Sequence, residues 1–547
     1  MDSTAEDVRD GKRARLAPSA DADLISALGD DVLVRVLGLA ADARDAVRTG
    51  ALSRRWRGLW TRVPALRFAY RPAIEADSLA AAGAERCAAA LERYVSSVNH
   101  VLARRAHSAD HAVESLAISF TPACSPGLVG ERLVPAWTRA AQGWIRYAVQ
   151  HGVKLVAVEL GGPPDPSSGV MTIHDFDDKR PVVALDELPA SPARLETMRL
   201  ALGGAKVRLP ATVVFASLTE ISLERIKITA AGGAHLLGRL VSSASCPILR
   251  KLVLRTVRFA RTEEKLLLET GSLSELWLEG VVPVRSLELR AHSLRVFHIQ
   301  SCFHEAVMIS APRLEELKFF QGLYPSRLEV DGGLSCVRSL KLHLWSHEAP
   351  IYATENDIGI LLLKHCSSVR CLDVALEGGL DMCEGDVNMI NGRIRRLPHV
   401  TSLSIQVSPC FGRHDFGASI ATFLTPFTNL RHLSLHLPSF DNLLYDLRFR
   451  LNLLCDHPNN WTSHEIFFIY LEEVELTGLT GIDCELWLME AVMSSATRLR
   501  KVAISFNPDC LQDQGKMDAF ERLLTSGGMW TYHRDIPRLT CLKQSPT

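Results

Sequence analysis

SLSELWLEGVVPVRSLELRAHSLRVFHIQ, residues 272–300, is the stretch that decides the fold. An apolar side chain recurs in it after two residues and then after one: Leu273-Leu276-Leu278, followed by Leu294-Phe297-Ile299. The last two members of each triplet alternate with polar residues, the period of a strand buried on one face. A strand so short hides its apolar face only against another copy, so the unit demands neighbours. Val284-Leu287-Leu289 has the same spacing but begins too soon after Leu273, and is left outside the series.

Upstream the triplet recurs as Val113-Leu116-Ile118, Val153-Val156-Val158, Leu195-Met198-Leu200, Leu218-Ile221-Leu223 and Leu249-Leu252-Leu254. Downstream it continues as Leu314-Leu317-Phe319, Val337-Leu340-Leu342, Val369-Leu372-Val374, Val400-Leu403-Ile405, Leu430-Leu433-Leu435, Leu471-Val474-Leu476 and Leu499-Val502-Ile504. Fourteen units at roughly 30 residues each are a repeat, and stacking them buries one continuous ladder of aliphatic rungs. The pattern resembles leucine-rich repeats, irregular in length and mostly without that family's asparagine. The fold class expected is α/β: a curved parallel sheet with helices, 3₁₀ turns and bare loops on its convex side. A helical return is plain where Trp137, Ala141, Trp144, Ile145 and Ala148 form a stripe closed by Gly152. Between Leu278 and Leu314 the connections are too short for one.

The stretch before the repeats reads differently. Residues 23–68, DLISALGDDVLVRVLGLAADARDAVRTGALSRRWRGLWTRVPALRF, contain three short amphipathic helices. The first opens at Asp30-Asp31, whose carboxylates suit a helix start, and carries Val32, Leu33, Val36 and Leu37 on one face. The second follows Asp42 or Asp45 and presents Ala46, Val47 and Ala51. Ser53 is the expected N-cap of the third, with Trp56, Leu59 and Trp60 at i, i+3 and i+4. So small a unit buries little by itself and should dock on something larger.

Leu28, Asp30-Asp31-Val32-Leu33, Arg44-Asp45-Ala46-Val47-Arg48 and Leu52-Ser53-Arg54-Arg55-Trp56 with Leu59-Trp60 resemble an F-box, the module that joins a receptor to the Skp-type adaptor of a cullin-based (SCF) ubiquitin ligase. One departure is Leu28-Gly29 in place of the usual Leu-Pro, which leaves φ free and loosens the first turn by a few tenths to about 1 kcal/mol. Near the other end, Leu471-Glu472-Glu473-Val474-Glu475-Leu476-Thr477-Gly478, with Gly481, Glu485, Leu488 and Leu499–Ile504, resembles the FBD segment that ends many plant F-box/leucine-rich-repeat proteins. The division expected is a disordered tail (1–20), an F-box (21–70), a capping helix (75–110) marked by Cys87, Leu91, Tyr94, Val95, Val98 and Leu102, a solenoid (111–510, FBD-like over 466–510) and an extension (511–547).

Composition narrows the function. With 47% hydrophobic and 22% charged residues the chain is globular, and a formal net charge of −1 gives no general pull toward nucleic acid or an anionic membrane. The arginines between Asp42 and Arg71 lack a stacking aromatic array, so no nucleic-acid partner is expected. Thirteen cysteines without a Cys-x-x-Cys suit reduced thiols in the nucleus or cytoplasm, and no apolar run approaches a membrane span. Gly11-Lys12-Arg13-Ala14-Arg15 could serve nuclear import but is a weak motif. No phosphate-binding loop, Gly-x-Ser-x-Gly or His-Glu-x-x-His occurs, and neither His174–Asp178 nor the His343/His347 pair makes a metal site. No enzyme activity, metal or cofactor is expected, although the solenoid leaves room for a small molecule or inositol phosphate.

The resemblance implies a substrate-recognition subunit of an SCF-type ligase. Its adaptor face would be Leu28, Val32, Leu33, Val36, Leu37, Val47, Leu52, Trp56, Leu59 and Trp60, with a cullin reached through the adaptor. A target protein would sit on the concave face, where the residues between rungs point away from the core: Lys251, Trp277, His298, Lys318, Lys341 and His432. Trp277 and His298 offer aromatic contact, and Lys318 and Lys341, equivalent in successive repeats, a place for an anion. The alternatives are an F-box protein that does not lead to degradation, and a stand-alone repeat scaffold.

Overall fold

The computed structural model describes residues 28–71, 81–107, 112–122, 133–161, 181–188, 194–302, 305–320, 327–345, 350–377, 396–407, 423–437, 468–479, 483–506, 530–535 and 538–543, with a few isolated positions between them. The tail at 1–20, the His174–Asp178 cluster, His347 and the Asp456–Asn460 loop lie outside these residues.

Each of the fourteen triplets forms one strand of a single parallel row. The row begins with β1 (Ala65–Tyr70), which pairs in register with β2 (Ser115–Phe120), and β2 pairs with β3 (Leu155–Leu160). A short β4 (Val182–Ala184) stands aside, and the row continues through β5 (Thr197–Arg208), β6 (Glu220–Ile228), β7 (Lys251–Glu269) and β8 (Glu275–Glu279). It then takes β10 (Val296–Gln300), β12 (Glu316–Phe320), β14 (Ser339–Trp345), β15 (Cys371–Glu377), β16 (Ser402–Val407), β17 (His432–His436), β18 (Glu473–Leu479) and β19 (Lys501–Phe506). The rungs align: Leu252, Leu276, Phe297, Leu317 and Leu340 are neighbours and each is fully buried. At the far end an antiparallel hairpin, β20 (Trp530–Asp535) and β21 (Arg538–Lys543), pairs with β19 and covers the edge that a further repeat would otherwise use.

The convex side differs from expectation in the middle of the chain. There the returns are strands rather than turns and loops. The second half of β7 pairs with β9 (Val282–Arg290), β9 with β11 (Ala306–Ser310), and β11 with β13 (Arg327–Asp331), making a second parallel row behind the first. Val284-Leu287-Leu289 is therefore a true rung, but of this outer row. The reason is geometric: a repeat of about 20 residues has no room for a helix, whereas two short strands back to back bury both apolar faces. The chain turns from one row to the other at Arg225, Thr256, Gly280 and Ser301, all at φ between 49° and 60°. Gly280 takes this left-handed conformation freely, while the three side-chain-bearing residues each cost about 1 kcal/mol, sustained by the ladder bonds on both sides.

Where repeats are longer, helices return. They are α5 (Val134–Gln150), α6 (Gly233–Val241), α7 (Pro350–His365) and α8 (Asp483–Ser495). On α5 the stripe Trp137, Ala141, Trp144, Ile145 and Ala148 is buried. At the N-terminal end lie three short helices, α1 (Asp30–Gly38), α2 (Ala43–Arg48) and α3 (Trp56–Leu59), and a long one, α4 (Ala81–Ala106). Leu91, Tyr94, Val98 and Leu102 bury one face of α4, and the Tyr94 hydroxyl donates to Ser119 O at 2.9 Å.

Candidate functional site

Two surfaces carry the residues that the sequence singles out. The first is the helical head. α1 is short, so only one of its two apolar stripes can face its own chain. Leu33 and Leu37, one turn apart, take that role and pack with Ala43, Ala46, Leu59 and Trp60. Val32 and Val36, rotated by one residue (~100°), are left outside. Leu28, Val32, Val36 and Leu52 are exposed, joined by Ile25 and by Leu39 at 83% exposure, while Val47 and Trp56 are half-buried. This corrects the expected adaptor face at four positions: Leu33, Leu37, Leu59 and Trp60 are core of the head, because a segment this small needs them to fold. Ile25 and Leu39 are exposed apolar residues outside the expected face.

The caps differ as well. α1 is preceded by Gly29 in extended conformation, and Ser53 does not cap α3. Asp30 pairs with Arg55 at 2.7 Å and Asp31 with Arg62 at 2.7 Å, so the acidic pair ties α1 to the third helix region rather than closing its own first turn. These pairs are exposed and worth little singly. Asp42 is the fixed point. It caps α2 through Arg44 N–H at 2.8 Å, accepts from Arg44 Nε at 2.9 Å and Nη2 at 2.6 Å, and accepts from Ala69 N–H of β1 at 3.1 Å. Arg44 also donates to Ala69 O and lies 5.0 Å from the Tyr94 ring. Burial raises the Asp42 carboxyl, but these hydrogen bonds outweigh it and hold it below the usual carboxylate range.

The second surface is the concave face. Trp277, His298, Lys318, Lys341 and Asp373 occupy one row of five adjacent strands, as expected from their triplets. The Trp277 and His298 rings are 3.9 Å apart, and the Arg255 guanidinium lies 5.9 Å from the Trp277 ring. His298 Nε2 meets Glu316 at 2.6 Å. Burial lowers the His298 pKa and Glu316 opposes it, leaving the imidazole below its ordinary value. Trp277 is thus half-covered by its neighbours. The two lysines do not form a shared anion site: Lys318 donates to Gln300 at 2.9 Å, Lys341 pairs with Asp373, and both ammonium groups lie over Phe320, at 5.3 and 5.5 Å. Burial, then the like charge of Lys341, lowers the Lys318 pKa. The patch is a half-buried band of rings in which His298 and Lys341 meet carboxylates and Lys318 meets an amide oxygen. Lys251 pairs with Glu275, and His432 is exposed. Among the described residues no cluster of His, Cys, Asp and Glu could hold a metal ion, and no helix is long and apolar enough to cross a membrane.

A small helical head set on a parallel-strand solenoid of the leucine-rich-repeat kind defines the class. No family model matches the chain. Among curated proteins it is 34% identical over 102 residues (18% of this chain, 21% of the relative) to a protein of Arabidopsis thaliana named as an F-box protein. Over 46 residues it is 48% identical (8% of this chain, 10% of the relative) to one of the same plant named as an FBD-associated F-box protein. These likenesses support a plant-type F-box/FBD protein. The matches span only about a fifth and a tenth of those relatives' own lengths.

Proposed function

We propose that this chain is the substrate-recognition subunit of an SCF-type ubiquitin ligase. Its head binds a Skp-type adaptor and through it a cullin, and its solenoid holds a target protein beside the charged conjugating enzyme. No residue here makes or breaks a bond; the acceleration is by proximity. The observation that carries the reading is the set of apolar side chains Ile25, Leu28, Val32, Val36, Leu39 and Leu52, left exposed on a head whose core is already filled by Leu33, Leu37, Leu59 and Trp60. So many exposed apolar side chains on so small a unit mark a surface for a second protein. Affinity purification of the tagged full chain from plant cells, with and without proteasome inhibitor, tests the proposal. Adaptor and cullin should co-purify, and at least one further protein should accumulate when degradation is blocked. A preparation lacking adaptor and cullin would overturn the reading.

A further inference from the structure

The residue after the first anchor of each triplet stands where the chain enters the sheet, outside the leucine ladder. Main-chain bonds carry this position from rung to rung: Arg295 N–H donates to Ser274 O, Glu315 N–H to Arg295 O, Arg338 N–H to Glu315 O, and Arg370 N–H to Arg338 O. Side chains in this edge row therefore step by about 4.8 Å. Between Arg295 and Arg370 the row and the turns before it form a groove of about 540 Å³. Among the described residues Arg295, Arg313, Arg338 and Arg370 line it against a single carboxylate, Glu315. That carboxylate is taken by Arg295 in a fork of 3.0 and 2.9 Å. Arg313, Arg338 and Arg370 are exposed and form no ion pair with a carboxylate among the described residues, Arg338 adding only a longer-range attraction to Glu315. Ser335 and Ser368 also line the groove, and a serine hydroxyl is a further donor.

A local surplus of three positive charges stands out in a chain whose net charge is −1. Guanidinium forks and hydroxyls are a donor set for oxyanions. Among the described residues no aromatic side chain lines the groove, so none of them would stack a nucleobase there. An extended peptide repeats its side chains on one face every ~6.8 Å, so anions two residues apart reach arginines on neighbouring rungs. We infer that this groove binds an oxyanion-bearing peptide segment, phosphorylated or rich in Asp and Glu, whose anions settle on Arg313, Arg338 and Arg370. That the segment belongs to a protein brought for ubiquitination rests on the receptor reading; the anion selectivity does not.

Fluorescence anisotropy on the full chain tests it, with a labelled peptide carrying pSer-Gly-pSer, its Ser-Gly-Ser and Asp-Gly-Asp counterparts, and a single-stranded RNA. The phosphopeptide should bind and the serine peptide should not. Binding should weaken about tenfold or more in Arg338→Gln/Arg370→Gln, and again as salt is raised from about 50 to about 300 mM. Arg67→Gln/Arg261→Gln, which removes the same charge at exposed sites elsewhere, should leave binding intact. Equal affinity for the aspartate peptide assigns an acidic segment; weaker affinity assigns a phosphorylated one. The inference is overturned if the phosphopeptide binds no better than the serine peptide, if Arg338→Gln/Arg370→Gln binds as well as the wild type, or if RNA binds more tightly than the phosphopeptide. Adaptor capture from the same samples separates the two proposals: its loss with peptide binding intact sinks the receptor reading alone.

Discussion

Replacing Asp42 by alanine should release the head from the solenoid while leaving the solenoid folded. The carboxylate caps α2, engages Arg44, and accepts from Ala69 N–H on the first strand, and it is only 8% exposed. Loss of the cap costs about 1 kcal/mol. The buried Ala69 N–H, deprived of a charged acceptor, costs roughly 1.5–3 kcal/mol. The ion pair with Arg44, partly open to water, adds ~0.5 kcal/mol. These share one side chain and do not add fully, so the expected destabilisation is about 2–4 kcal/mol. Hydrogen exchange read by mass spectrometry isolates the effect. Peptides covering residues 43–70 should exchange roughly 30- to 1,000-fold faster, at about tenfold per 1.4 kcal/mol, while peptides covering β8 to β14 are unchanged. The effect also has a pH window. The folded Asp42 carboxyl lies below its ordinary value of 3.8, so its contribution is fully present above that value and is lost as pH falls through the lower, folded value. Asp42→Ala and wild type should therefore differ at neutral pH and converge in strong acid. Protection of 43–70 that changes less than about threefold would refute this account of how head and sheet are joined.

Two further outcomes follow from the packing. Leu276 is a fully buried rung, so Leu276→Ala should cost about 2–5 kcal/mol, seen as a lower urea midpoint for the central strands; Trp277→Ala, beside it on the concave face, should cost less. Among the described cysteines, Cys336 and Cys371 are exposed, while burial pushes the thiols of Cys246, Cys302 and Cys366 up to about 12. Maleimide labelling of the native chain at pH 7.5 should therefore modify Cys336 and Cys371 first and leave the other three until unfolding.

The sheet was legible because a strand buried on one face writes its period into the sequence, and every counted triplet found its place in one row. Val284-Leu287-Leu289 was set aside because the rule allowed one strand per repeat, whereas here the chain folds back and uses two. In the head, amphipathicity was legible but its direction was not. Val32/Val36 and Leu33/Leu37 are equally apolar stripes on one helix, and only packing against Trp60 and Leu59 decides which pair turns inward. The Asp42 anchor could be read as a cap but not as a link to Ala69, a contact 27 residues away in sequence. The arginine groove was visible in principle, since Arg295, Arg338 and Arg370 each follow a first anchor. What the sequence does not show is that the turn residue Arg313 joins them, since that depends on how successive turns stack.

The central claim is that the head presents apolar side chains to a second protein while using others to fold. Calorimetric titration of purified Skp-type adaptor into the full chain, compared with Val36→Asp/Leu52→Asp, tests it most directly. Both positions are exposed, so the variant keeps the exchange protection of residues 43–70, and a charge forced into the contact weakens binding by about a hundredfold or more. Undiminished affinity in that variant, or no heat of binding in the wild type, would contradict it.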